Sequence, residues 1–169
     1  IAGLVDRLKE RGDDIALTPD HRADGLVCVI TGANRGLGLA TAIDLARRGA
    51  HVILACRSGL PDAVDVVKQA SGSDTVLGED LDLGDGASVQ AFADRLHQAG
   101  TRIDRLVLNA GVVPSHDRAT SAGLNQLVHV NYLGNVQLVR ALLAHGVLPN
   151  ATVAGNAVEG RVPRIVAVG

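Results

Sequence analysis

Glycine spacing in one short stretch of this 169-residue chain predicts a phosphate-binding turn. The apolar run Val27–Ile30 is followed directly by TGANRGLG, residues 31–38, which contains the pattern G-x-x-x-G-x-G. An amphipathic stretch then begins, so the order is strand, tight turn and helix. The first N–H groups of a helix lack partners and carry the positive end of its dipole, and glycines let a phosphate approach them. We therefore expect a dinucleotide to bind at Gly32, Asn34, Arg35, Gly36, Leu37 and Gly38.

Two arginines favour a phosphorylated dinucleotide. Arg57 follows the second apolar run, at the position where a site selective for NAD places an acidic residue against the ribose hydroxyls. A carboxylate there would repel a 2′-phosphate, whereas a guanidinium can bind it through parallel hydrogen bonds, and Arg35 can approach from the other side. Either arginine alone is more simply interpreted as a solvated surface residue. Their joint placement predicts NADP(H) as the cofactor.

Composition and charge narrow the class of partner. The formal net charge is -2 and aromatic residues make up 1% of the chain, which argues against a nucleic-acid-binding module. Cys28 and Cys56 fall in apolar runs without the spacing of a zinc site or a disulfide framework, so we expect two small buried side chains and no bound metal. The sequence has neither a run of about 18 apolar residues nor a signal-peptide pattern. It therefore predicts a small-molecule substrate, no nucleic acid, no membrane and a cytoplasmic location.

The elements that must position these residues alternate between short apolar runs and helical patterns. This alternation indicates an α/β protein with a parallel sheet and helices on both faces. The predicted strands are Leu26–Ile30, His51–Ala55, Thr75–Leu77, Arg105–Leu108 and Arg164–Val168. The predicted helices cover residues 36–48, 61–70, 86–98 and one long segment, 121–145. We expect an N-terminal helix and linker over residues 1–25, one Rossmann-like domain over 26–169 and a surface loop over 146–163.

Further motifs follow the glycine-rich turn in a recognisable order. The acidic segment 80–83 closes the third strand, Asn109-Ala110-Gly111 follows the fourth, and Asn131-x-x-Gly134 lies in the long helical stretch. With T-G-x-x-x-G-x-G at 31–38, these motifs make residues 26–169 resemble the short-chain dehydrogenase/reductase family. Within that family, residues 55–57 and 131–134 are most similar to the retinol-dehydrogenase and protochlorophyllide-reductase branches.

The resemblance implies roles for several residues. Asp82 would read the adenine amino group with the backbone amide of Leu83 beside it, although an acidic turn that caps the following helix is the simpler alternative. Asn109, Ala110 and Gly111 would pass beside the cofactor ribose, or form a plain strand-end turn. Asn131 would help to hold a water in the catalytic proton relay, whereas the residues alone favour a structural bridge to a neighbouring strand.

The resemblance also implies a fold and an activity. The fold is a doubly wound sheet with strand order 3-2-1-4-5. The activity is NADP(H)-dependent hydride transfer that interconverts a carbonyl and an alcohol, or reduces a double bond, on an apolar small molecule. Family chemistry needs a Ser and a Tyr-x-x-x-Lys pair, but the only tyrosine, Tyr132, is followed at that spacing by Val136. We expect these residues beyond Gly169, in a longer catalytic domain.

The sequence is compatible with more than one function class and more than one oligomeric state. A non-catalytic NADP(H)-binding regulatory or scaffold domain is the alternative to an enzyme. Association into a homo-oligomer is compatible with the resemblance, but no residue pattern in the chain specifies it.

Overall fold

Five parallel strands form one sheet in the computed structural model, which describes Thr18 and residues 20–150 and 162–168. The order β3-β2-β1-β4-β5 confirms the predicted doubly wound, Rossmann-like α/β fold. The order reverses between β1 and β4, and ligands of such sheets bind outside the carboxyl ends of the strands at that point. The strands are Val27–Thr31 (β1), His51–Cys56 (β2), Val76–Asp80 (β3), Arg105–Leu108 (β4) and Arg164–Ala167 (β5).

Helices cover both faces of the sheet. Helices α1 and α2 pack on one face through small side chains such as Ala42 and Ala63, whereas α3 packs on the other through Phe92. Asp85 caps α3, because its Oδ1 accepts a hydrogen bond from Ala87 N at 3.0 Å. These helices are Gly36–Arg47 (α1), Leu60–Ser71 (α2) and Gly86–Gln98 (α3).

The prediction of one continuous helix over residues 121–145 is wrong. Helical structure begins only at Gln126–Val128 (α4), passes through a π-helical turn at His129–Leu133 and continues as Gly134–Ala144 (α5). Asn125 Oδ1 accepts hydrogen bonds from the N–H groups of residues 127 and 128, so it caps the helix start. Ala119 pairs with Asn125 in an isolated antiparallel bridge, which holds the preceding residues in a loop.

The two outer strands differ from the three inner ones in their burial. Strand β3 extends to Asp80 rather than ending at Leu77, because at an edge polar residues can face solvent. Strand β5 is exposed along its length, and Ile165 and Val166 are 47% and 48% exposed. The predicted helix near the N-terminus lies outside the described residues, as does most of the predicted loop over 146–163. None of the described helices has the length and apolar character needed to cross a membrane.

Candidate cofactor-binding site

A cleft of about 600 Å³ lies where the order of the sheet reverses. It is bounded by the glycine-rich turn, the end of β2, the segment after β3 and the turn after β4. Leu37 and Gly38 do not line it, since Leu37 is exposed on α1 and Gly38 packs behind the turn. The other predicted cofactor residues all line it: Gly32, Asn34, Arg35, Gly36, Arg57, Asp82, Leu83, Asn109, Ala110 and Gly111.

The glycine-rich turn leaves a helix start open to the cleft. Gly32 and Gly36 have φ angles of +68° and +58°, which side-chain-bearing residues rarely adopt. A Cβ at Gly32 would lie 2.8 Å from the Ala110 Cα, whereas one at Gly36 would meet nothing within 4 Å. Arg35, at the N-cap of α1, makes no side-chain hydrogen bond to the helix. The start of α1 therefore has no side-chain cap and has open space beside Gly36, which fits the pyrophosphate of a dinucleotide.

A buried hydroxyl joins the turns after β1 and β4. Thr31 Oγ1 accepts hydrogen bonds from the N–H groups of Asn109 and Ala110, at 3.0 Å each, and lies 3.4 Å from the Val107 carbonyl oxygen, to which it donates. The Asn109 side-chain amide in turn donates to the carbonyl oxygens of Thr31 and Gly32, at 3.0 and 3.3 Å. Each turn thus fixes the position of the other at the floor of the cleft.

The rim of the cleft carries charges of both signs. Arg57 Nη1 lies 3.8 Å from Asp82 Oδ2, and the two side chains are 61% and 33% exposed. Asp82 Oδ1 also accepts a hydrogen bond from Gly84 N at 2.8 Å, so this carboxylate closes a local turn as well as facing the cleft. Exposed ion pairs contribute little to stability, so Arg57 can exchange this partner for a bound anion at small cost.

Cys56 lies beneath the glycine-rich turn. Its side chain is buried yet lines the cleft, and both cysteines of the chain are free and buried, as predicted. Burial raises the pKa of the Cys56 thiol, while backbone amides of residues 32–34 act in the opposite direction. Burial raises the pKa of Cys28, in the middle of β1, to about 11. Both side chains are therefore protonated at neutral pH.

The start of α5 touches the segment after β3. An added Cβ at Gly134 would overlap the carbonyl group of Leu83, so only glycine permits this approach. Leu83 itself is buried and lines the cleft. The helix that follows the π-helical turn therefore supports the predicted adenine-binding segment directly.

Asn131 makes a structural bridge, but its partner lies in the loop after β4 and not in a neighbouring strand. Its Oδ1 accepts a hydrogen bond from Val112 N at 2.8 Å, and its Nδ2 donates to the Val112 carbonyl oxygen at 2.9 Å. Asn131 lines a second groove of about 520 Å³, which shares Asn109, Ala110 and Gly111 with the cofactor cleft. The bridge holds the chain just after the Asn-Ala-Gly turn. Its role in a proton relay stays a prediction.

Sequence reasoning missed several residues that line the cleft. Thr31 belongs to the glycine motif but is not among the predicted site residues. A hydroxyl at the end of a buried strand needs a hydrogen-bond partner, and this is the signal that could have identified it. Ser58 contributes a backbone carbonyl, which no residue type reveals. The remaining ones are apolar or small: Ala55, Cys56, Leu81, Val112 and Val130.

A family model described as short chain dehydrogenase matches residues 26–159, and the chain therefore belongs to the short-chain dehydrogenase family. Dehydrogenase/reductase SDR family member 13 of Homo sapiens is 44% identical over 122 residues, which are 70% of this chain and 32% of that protein. Retinol dehydrogenase 12 of Mus musculus is 39% identical over 128 residues, which are 75% of this chain and 40% of that protein. The similarity confirms the retinol-dehydrogenase-like branch of the family.

The fold has matches among solved structures. The RhlG/NADP active-site complex of Pseudomonas aeruginosa superposes with a TM-score of 0.70 and 22% sequence identity, covering 90% of this chain and 56% of that one. At this identity the likeness supports the fold. The chain spans between about a third and two fifths of the length of the two curated relatives.

Proposed function

We propose that this chain forms the cofactor-binding part of an NADP(H)-dependent oxidoreductase that interconverts a carbonyl and an alcohol, or reduces a double bond, on an apolar small molecule. When bound, the cofactor would supply or accept the hydride. The residues of the chain bind and orient it: the open start of α1 receives the pyrophosphate, and the turn after β4 lies beside the ribose.

The two arginines at the rim are the reason for proposing NADP(H) and not NAD(H) as the cofactor. Arg35 and Arg57 line the same cleft, one from the glycine-rich turn and one from the end of β2. The carboxylate beside them, Asp82, follows β3, so the position directly after β2 is basic. A guanidinium at this position favours a 2′-phosphate, because it can form parallel charge-assisted hydrogen bonds with the phosphate oxygens.

Titration of the purified chain with NADPH and NADH by calorimetry tests this choice. The unsubstituted protein should bind NADPH more tightly. Arg57→Asp should reduce the affinity for NADPH by about ten- to a hundredfold, because a charged hydrogen bond is lost and a like charge faces the phosphate. The affinity for NADH should change much less. Unchanged discrimination would refute the assignment.

Lys68→Asp is the matched control for that titration. It makes the same change in net charge on α2, outside the residues that line the cleft. If Lys68→Asp lowered the affinity for NADPH as much as Arg57→Asp, the effect would be one of overall charge and not of a local contact.

The proposed substrate class is supported by the relatives and not by the cleft. Two of them are named retinol dehydrogenase 12 and retinol dehydrogenase 13, which favours a large apolar alcohol or aldehyde. Exposed Ile165 and Val166 on β5, and Val168 just after it, fit a segment packing there in the longer protein that the family resemblance predicts. The longer protein should oxidise NADPH in the presence of an apolar aldehyde.

The alternative proposal is a non-catalytic NADP(H)-binding domain. Such a domain would bind the cofactor in the same cleft without a Tyr-x-x-x-Lys pair; Tyr132, which is 65% exposed beside the second groove, has valine and not lysine four residues later. Tight binding of NADPH by the longer protein, without turnover on any apolar aldehyde or alcohol, would support it.

We also propose a cytoplasmic protein that binds neither nucleic acid nor membranes and can self-associate. Cell fractionation tests the location, and light scattering of the purified chain tests self-association.

A further inference from the structure

One hydrogen bond crosses the mouth of the cleft between the segments that carry the two arginines. The Asn34 side-chain amide donates from Nδ2 to the Ser58 carbonyl oxygen at 3.1 Å. Asn34 directly precedes Arg35, and Ser58 directly follows Arg57. A carbonyl oxygen only accepts hydrogen bonds, so the NH₂ group of Asn34 must face it.

The segment that Asn34 contacts is short and tightly curved. Gly59 has a φ angle of +69° and is the N-cap of α2, and a Cβ added to it would lie 3.7 Å from Asn34 Nδ2. On the other side of Arg57, the Cys56 carbonyl oxygen accepts a hydrogen bond from Leu81 N at 3.1 Å. Arg57 therefore lies between Cys56, whose carbonyl group is hydrogen-bonded to Leu81, and Ser58, whose carbonyl group is hydrogen-bonded to Asn34.

We propose that Asn34 is a positioning residue that sets the separation of Arg35 and Arg57 and thereby determines how strongly the site prefers NADP(H) to NAD(H). The inference rests on the proposed function, because it assigns a cause to the preference for the 2′-phosphate. Asn34 acts on this preference through the backbone of residues 57–59.

The physical reason is that two arginines that reach the same phosphate bind it more tightly than one arginine does. An exposed arginine has many rotamers, and ordering it on a phosphate costs side-chain entropy. A backbone held at a fixed distance keeps both guanidinium groups within reach of the same phosphate and reduces that cost. Without the hydrogen bond from Asn34, the loop at Ser58 is held by fewer contacts. The two arginines then bind the 2′-phosphate less tightly. The pyrophosphate, which both cofactors share, is bound elsewhere by the start of α1.

The test is calorimetric titration of the full 169-residue chain with NADPH, NADH, 2′-AMP and 5′-AMP. Asn34→Ala should lower the preference for NADPH over NADH by about three- to tenfold, the range of one hydrogen bond. The preference for 2′-AMP over 5′-AMP should fall in parallel. Thr41→Ala removes a hydroxyl that donates to the Leu37 carbonyl oxygen within α1, outside the residues that line the cleft, and should leave both preferences unchanged. Thermal unfolding of each variant shows whether it is folded.

A double-substitution cycle separates positioning from direct contact. In the Arg57→Ala background, Asn34→Ala should have little further effect on the preference, because the residue through which it acts is gone. An equal effect of Asn34→Ala with and without Arg57 would overturn the proposal, since Asn34 would then act on the ligand itself or through another group.

The outcomes also separate this inference from the proposed function. Equal affinity of the unsubstituted chain for NADPH and NADH would refute NADP(H) as the preferred cofactor and the role of Asn34 with it. A clear preference that Asn34→Ala leaves intact would refute the role of Asn34 alone.

Discussion

The floor and the rim of the cofactor cleft are built from different interactions. At the floor, Thr31 and Asn109 join two turns through hydrogen bonds to backbone groups, and Thr31 is fully buried. At the rim, the exposed Arg57 and the partly exposed Asp82 form one long ion pair. The floor fixes a shape that does not depend on charge, whereas the rim presents the charges to which the proposed function assigns the distinction between NADPH and NADH. Changes at the floor should therefore affect both cofactors alike.

The largest effect should come from filling the floor. A Cβ at Gly38 would lie 2.5 Å from Asn109 Nδ2 and 2.7 Å from the Gly32 carbonyl oxygen, so Gly38→Ala must displace the turn. We expect binding of NADPH and NADH to fall together by more than about tenfold, with a loss of about 1–3 kcal/mol in the free energy of unfolding. Calorimetry and urea denaturation measure the two quantities.

Gly86→Ala is the control for that variant. Gly86 begins α3, and the nearest atom to its added Cβ is Gln137 Oε1 at 3.8 Å, so the same substitution is accommodated there. A selective loss of NADPH binding in Gly38→Ala would contradict the separation of floor and rim.

Removing the hydroxyl of Thr31 should have the next largest effect. Thr31→Val keeps the shape of the side chain but leaves the N–H groups of Asn109 and Ala110 without their acceptor. We expect the free energy of unfolding to fall by about 1–3 kcal/mol, with an unchanged ratio of the affinities for NADPH and NADH. Thr31→Ser, which retains the oxygen, should lose less. A loss in Thr31→Ser as large as that in Thr31→Val would contradict this, because the methyl group would then contribute as much as the hydroxyl.

The pH dependence of the free energy of unfolding tests the burial of Cys28 in β1, the strand that leads into the floor of the cleft. Burial raises the pKa of Cys28 from 9.0 to about 11. Between these values the unfolded chain releases the thiol proton while the folded chain retains it, so stability that is fully present below pH 9 is lost as the pH rises towards 11. We expect a contribution of about 1 kcal/mol per pH unit, measured by urea denaturation. The decline should be shallower in Cys28→Ala, and identical slopes would mean that the thiol is not shielded from water.

Salt should produce the smallest effect, and only at the rim. Arg35 and Arg57 are exposed, so raising the ionic strength from about 0.05 to about 0.5 M should screen their attraction for a 2′-phosphate. The preference for NADPH over NADH should fall several-fold, measured by fluorescence titration of the reduced cofactors. A preference independent of salt would place the discrimination in buried contacts instead.

The alternation of strands and helices and most cleft-lining residues could be predicted because they depend on local patterns, whereas the strand order was predicted from the family resemblance. Apolar runs mark β1, β2 and β4 clearly, and the glycines around Gly36 follow β1 without a gap. The carboxyl end of β3 was missed because Glu79 and Asp80 are polar, and at the edge of the sheet the burial pattern of an inner strand does not apply.

The long-range contacts could not be predicted in the same way. The hydroxyl of Thr31 meets Asn109 across 78 positions of sequence, and the amide of Asn34 meets a backbone carbonyl whose residue type carries no signal. The long helix was predicted to start too early because its apolar spacing continues through the loop that Asn125 ends. Local periodicity does not show where a capping side chain interrupts it.

The π-helical turn at His129–Leu133 makes the length of this segment as important as its composition. A π-helical turn contains one more residue than the α-helical turn it replaces. Deleting a single residue there would restore a regular helix but rotate everything before it by about 100° relative to α5. The amide of Asn131 would then point away from Val112. The two hydrogen bonds that hold the chain after β4 would be lost, although both residues would still be present in the sequence.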